Sequence, residues 1–157
     1  MSMPSWLSWL KPGGGGGGST PTVVRRFTTA DQTVSRDSIV VQGDGWLVDA
    51  PEGRVVRLFE IDSPGLEQCQ LAYRAALKCE DLQGRAYLEM WCRLPGKGEF
   101  FSKGLNQTLK GTVDWSTYEI PFRLKKGQRP DLIKLNLAVE GRGKVWMKDV
   151  ELLSTPK

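Results

Sequence analysis

Two alternating runs constrain this fold more than any other feature of the chain. Across residues 71–79, Leu71, Tyr73, Ala75, Leu77 and Cys79 are separated one by one by Ala72, Arg74, Ala76 and Lys78. Across 86–94 the period returns, with Ala86, Leu88, Met90, Cys92 and Leu94 set against Tyr87, Glu89, Trp91 and Arg93. A period of two belongs to a strand with one face on a core, whereas a helix repeats every 3.6 residues. A turn centred between Leu82 and Gln83 pairs 79 with 86 and 71 with 94, so that each apolar residue meets another. That hairpin register sets Arg74 opposite Trp91 and Lys78 opposite Tyr87 on the outward face.

The pattern continues down the chain. In 132–140, Ile133, Leu135, Leu137 and Val139 point in while Lys134, Asn136, Ala138 and Glu140 point out. In 116–124, Tyr118, Ile120, Phe122 and Leu124 read as core, with Thr117, Glu119 and Arg123 facing solvent and Asp114-Trp115 entering from a turn. Further strand-like runs occupy 38–42, 46–49, 54–61, 100–109 and 144–153. Between them stand Gly43-Asp44-Gly45, Asp62-Ser63-Pro64-Gly65, Pro95-Gly96-Lys97-Gly98, Gly111, Lys126-Gly127 and Gly141-Arg142-Gly143. Only 64–72 leaves room for a helical turn. Many short strands at regular spacing predict an all-β protein, an antiparallel two-sheet sandwich or barrel. Leu77, Leu88, Met90, Ile120, Phe122, Leu135 and Leu137 are its expected core, and Trp115 and Trp146 are expected as core and turn anchors.

Residues 1–22 form a separate region, and 23–157 the sandwich domain. Trp6-Leu7 and Trp9-Leu10 recur at a spacing of three, which places them on one side of a helical turn closed by Lys11-Pro12. Gly13 to Gly18 follow without interruption, a composition with no side chain to bury and maximal backbone entropy. The expectation is a disordered tail on a flexible tether. Its Trp-Leu tip suits docking in a partner groove or at a membrane interface; the alternative is a tail without a role.

The chain has no histidine. That removes Ser-His and Cys-His nucleophile pairs, the commonest proton shuttle near neutral pH and the preferred zinc ligand. Cys69, Cys79 and Cys92 are odd in number and lack metal or redox spacing, so they read as small buried hydrophobes in a reducing compartment, with a redox or regulatory thiol as the alternative. The net charge is +4, but the 22 basic residues are dispersed, with only pairs such as Arg25-Arg26 and Lys125-Lys126. No dense basic block with interleaved aromatics appears, which argues against nucleic acid. No apolar run reaches the length of a transmembrane span, and the N-terminus does not read as a secretion signal. A cytoplasmic protein is the expectation.

Three stretches, GRAYLEMWCRLPGKGEFFSKGL, GTVDWSTYEIPFRLKKG and LNLAVEGRGKVWMKDVELL, resemble the jelly-roll domains of the galactose-binding-like superfamily. Within it they are similar to carbohydrate-binding modules and to sandwich domains appended to bacterial enzymes and membrane peptidases. The resemblance spans about residues 36–153; Gly111 to Phe122, and Gly143 to Leu152 with Asp149, are its most specific pieces. It implies a jelly-roll β-sandwich and an aromatic sugar platform flanked by polar hydroxyl-binding groups. Tyr87 and Trp91, two apart across Glu89, fit that platform, with Arg74, Arg93, Lys134 and Asn136 on strands expected to flank them. The competing reading is a covered face, with Arg74 over Trp91 and Lys78 over Tyr87 as cation–π lids. The resemblance also points to a structural calcium ion, for which Asp49, Glu52, Asp62 and Asp149 are the oxygen donors to inspect. The expected function is a non-catalytic binding module for a carbohydrate or a protein partner. The alternative is an adaptor docked through Trp6, Leu7, Trp9 and Leu10. Catalysis would require a carboxylate pair, of which Glu89 with Glu140 is the best to name.

Overall fold

The runs at 71–79 and 86–94 are the two halves of one strand. The computed structural model describes residues 20–156 and contains β1 (Thr22–Phe27), β2 (Ile39–Gln42), β3 (Gly45–Ala50), β4 (Arg54–Asp62), β5 (Cys69–Leu94), β6 (Gly98–Lys103), β7 (Leu109–Leu124) and β8 (Leu132–Pro156). No helix occurs among the described residues, so 64–72 carries none, and no helix is long and apolar enough to cross a membrane. The tail at 1–19, with Trp6, Leu7, Trp9 and Leu10, lies outside the described residues.

The long strands β5 and β8 run antiparallel along nearly their whole length, from Cys69 opposite Pro156 to Arg93 opposite Leu132. The predicted hairpin between 71–79 and 86–94 is therefore absent. What reads as a turn at 81–84 is a bend, matched by a second bend at 141–143 in β8. Asp81 and Gly84 sit at φ of 50° and 106°, and Gly141 and Gly143 at 134° and 150°. The backbones touch here: a methyl on Gly84 would overlap the Glu140 carbonyl oxygen, and one on Gly141 that of Gln83. Glycine is needed at both positions, for conformation and for the close approach.

The bend divides the ribbon into two antiparallel layers. In the first, β5 up to Glu80 lies between β7 and the second half of β8, which is flanked by β1 and β3, with β2 outside β3. In the second, β5 from Gln83 lies between β6 and the first half of β8, with β4 beyond. The result is an antiparallel jelly-roll β-sandwich. Its faces follow the alternation: Leu71, Tyr73, Ala75, Leu77 and Cys79 are buried from one layer, and Ala86, Leu88, Met90, Cys92 and Leu94 from the other, in one core. These sets meet across the sandwich, where the register had placed them side by side in a hairpin.

Cross-layer contacts join the two sheets. Phe27 stacks on Phe59 at 4.1 Å between ring centres, and Trp46 meets Phe59 edge-on at 5.5 Å. The buried Tyr73 hydroxyl donates to the Asn136 carbonyl at 3.1 Å. Phe122, expected in the core, is only half-buried because it packs against the core from β7 at the sheet margin.

All three cysteines are free and buried. Burial pushes the Cys92 thiol up to about 12 and the Cys79 thiol upward as well. Since thiolate is the nucleophile, the folded protein should react with iodoacetamide at pH 8 at least about a hundredfold more slowly than the chain in urea. Rapid labelling at any of the three sites in the folded protein would show that this thiol is open to solvent.

Candidate binding faces

The outer face of the second layer gathers Tyr87, Glu89, Trp91 and Arg93 on β5 with Asn136 and Lys134 on β8, as the alternation requires. Glu89 lies between Asn136 on one side and Lys103 on the other. Trp91 lies between Lys134 and Phe101. The face is internally satisfied. Glu89, only 4 % exposed, accepts hydrogen bonds through Oε1 from Trp91 Nε1 and Asn136 Nδ2, both at 2.9 Å. Trp91 packs on Phe101 at 5.1 Å. Tyr87 is buried and donates to Glu140 at 2.7 Å.

Each basic side chain of this face has a carboxylate partner: Arg85 with Glu140, Arg93 with Asp131, Lys103 with Glu89 and Lys134 with Glu99. Hydrogen bonds from Arg85 and then Tyr87 hold the Glu140 carboxyl below its ordinary range. Burial, then that hydrogen bond, pushes the Tyr87 phenol up to about 12. Glu89 and Glu140 also stand four strand steps apart, since Glu89 faces Asn136, a backbone separation of about 13 Å at 3.3 Å per step. A glycosidase pair needs closer carboxyls with one acid raised. Glu140, held low by Arg85 and Tyr87, is not that raised acid.

Arg74 does not belong to this face. It lies in the first layer, where Glu119, Arg74, Glu151 and Arg26 form one row across β7, β5, β8 and β1. Arg74 is 4 % exposed and donates to Glu119 at 2.9 Å and Glu151 at 3.5 Å, while Arg26 reaches Glu151 at 2.7 Å. Arg74 therefore ties β5 to β7 and β8, Arg26 adds β1 through Glu151, and Arg74 does not cover Trp91. Lys78 does not cover Tyr87 either. The lids are Arg85 over Tyr87 and Lys103 over Trp91. Asp49, Glu52, Asp62 and Asp149 assemble no metal site: among the described residues no three acidic or cysteine side chains gather closely enough to hold an ion.

The first layer carries a second aromatic face, which the sequence reading missed by assigning Trp115 and Trp146 to core and turn. Both point outward. Trp115 is 37 % exposed and Trp146 half-buried, while among the described residues Trp46, two positions from Val48, is the tryptophan in the core. Across the sheet, Val40, Leu47, Trp146 and Lys78 lie side by side on β2, β3, β8 and β5, and Trp115 comes in from β7. The Lys78 ammonium sits 4.8 Å from the Trp146 ring centre and 5.6 Å from that of Trp115. The two indoles are thus within about 10 Å of each other. Lys148 lies 4.4 Å over Trp115. The alternation did carry a signal: Lys144, Trp146 and Lys148 are one outward set once Val145 and Met147 are read as inward.

No protein-family model matches the chain, and no curated protein matches it significantly. Solved structures do. The CBM22-1 xylan-binding domain of Paenibacillus barcinonensis Xyn10C superposes with a TM-score of 0.55 at 9 % identity, over 87 % of this chain and 96 % of that one. A CBM4 module gives 0.54 at 11 % identity over 78 % and 79 %. A family 29 carbohydrate-binding module from Piromyces equi gives 0.52 at 11 % identity over 88 % and 91 %. At such identities the likeness speaks for architecture, and it agrees with the strand-by-strand description: this chain has the jelly-roll β-sandwich fold that these carbohydrate-binding modules share.

Proposed function

We propose that the chain is a non-catalytic carbohydrate-binding module whose ligand lies along the outer face of the first layer, over Trp115 and Trp146. The observation that carries this reading is the outward pair of indoles about a shared ammonium, on a rigid sheet and beside Thr117. Sugar rings have an apolar C–H face and a polar edge, so a flat aromatic with hydrogen-bonding groups beside it suits them. The fold likeness supports the reading, since one similar structure is named a xylan-binding domain and another a family 29 carbohydrate-binding module. The second-layer face suits a ligand less well, because its polar groups are already paired with one another.

Two tryptophan replacements decide between the faces. Trp115→Ala and Trp146→Ala should each lower affinity for a bound glycan by on the order of tenfold or more, as aromatic anchors do, and Trp115→Ala should leave the melting temperature nearly unchanged. Trp91→Ala should lower the melting temperature and leave affinity alone, because its indole is bonded to Glu89 and packed on Phe101. Isothermal titration beside thermal melts reads both quantities. Binding that survives both first-layer changes and disappears with Trp91→Ala would move the site to the second layer.

A further inference from the structure

Among the described residues, Lys78 and Lys148 contact indole rings and no carboxylate. The lysines and arginines of the second-layer face all have acidic partners, and so do Arg74 and Arg26 in the row next to Thr117, Ala76 and Lys148. The strip containing Thr117, Ala76, Lys148, Trp115, Lys78 and Trp146 thus carries two positive charges that enter no ion pair among the described residues; the exposed Asp114 and Asp149 stand next to Trp115 and Lys148 in sequence, and Asp114 accepts from the Trp115 backbone N–H. Beyond it, Glu119 and Glu151 on one side are neutralised by Arg74 and Arg26. On the other side the next row holds Glu80, Lys144 and Asp49 across β5, β8 and β3.

Resting on the carbohydrate-binding reading above, we propose that this face selects anionic glycans, sugars bearing carboxylate or sulfate groups. Lys78 and Lys148 would exchange their contact with the indoles for a contact with the ligand's charged groups. An exposed ammonium–indole contact is weak, and a lysine stem is flexible enough to swing its head group aside. The movement has two effects. It uncovers the indole faces for the sugar's C–H surface, and it places each ammonium at the edge of the stacked ring, where a carboxylate or sulfate projects. Asp114 and Asp149 beside the strip, and Glu80 and Asp49 in the row beyond it, repel an anion and confine it to the two ammonium groups. Single-stranded nucleic acid also combines stacking with negative charge. It is the poorer fit, because such binders track the backbone with a long basic groove and this strip carries two cations.

The full 157-residue chain is titrated with polygalacturonate and its fully methyl-esterified form, with dextran sulfate and dextran, and with a single-stranded oligonucleotide of matched charge. The charged polymer of either pair should bind more tightly at low salt, and the preference should fade as salt is raised. Polygalacturonate alone would mark carboxylate as the recognised group, and dextran sulfate alone would mark sulfate. Lys78→Gln and Lys148→Gln should each weaken the anionic ligand by about two- to fivefold relative to its neutral counterpart, the scale of an exposed ion pair. A double change to arginine, which keeps both charges, should retain the preference, and melts of each variant identify any loss caused by unfolding. Equal affinity for charged and neutral glycans would overturn the charge selection while leaving the carbohydrate reading intact. Tighter binding of the oligonucleotide than of any glycan would overturn the inference in favour of nucleic acid. If no glycan of either kind binds, both readings are lost.

Discussion

Gly141→Ala is expected to lower the free energy of unfolding by at least about 3 kcal/mol, measured by urea denaturation. Two causes combine. The residue has a φ of 134°, which a side chain disfavours, and its added methyl would overlap the backbone carbonyl oxygen of Gln83. That obstacle is backbone, so no rotamer change relieves it, and β5 and β8 must separate where both bend. Gly111→Ala is the control. Gly111 also has positive φ, at 64°, but nothing lies within 4 Å of the position its methyl would take. It should cost only about 1 kcal/mol, the conformational penalty alone. If the two replacements cost the same, the ribbons do not meet at the bend as described. Because the bend sets one layer over the other, a larger loss at Gly141 reports directly on closure of the sandwich.

Glu89→Ala should cost about 2–4 kcal/mol and leave glycan affinity unchanged. The carboxylate is almost fully buried and accepts from two donors on two different elements, Trp91 beside it on β5 and Asn136 on β8. Removing it leaves those N–H groups without their acceptor in a site that water reaches poorly. Glu89→Gln should recover part of the loss, since an amide oxygen can take one of the bonds. Denaturation and titration of the same samples separate the two readouts. A Glu89→Ala variant that keeps its stability but loses its ligand would make Glu89 a binding residue and restore the second-layer face as the site.

The two predictions rest on features the sequence revealed to different degrees. Alternation turns Glu89, Trp91 and Asn136 outward, the resemblance sets their strands side by side, and the structure brings them into contact. That these groups satisfy one another, leaving few for a ligand, depends on distances that no pattern contains. The same holds for Arg74, which parity put on an outward face without saying on which sheet.

Alternation by itself determined the class of fold and which side chains face the core. Burial acts on each strand locally: whichever strand lies alongside, an apolar residue every second position must turn to the interior. Partner choice is not local. A Gly-containing break between two alternating runs is compatible with a hairpin, which reverses the chain, and with a bend, which carries the strand into a second layer. The choice at 81–84 was decided by β8, whose Gly141 and Gly143 fall opposite the break and let both backbones turn together. That decision sent Arg74 and Lys78 to one sheet and Tyr87 and Trp91 to the other. It also brought Trp115 to the Lys78–Trp146 face across 31 residues of sequence, a meeting that only the pairing of three separate strands can produce.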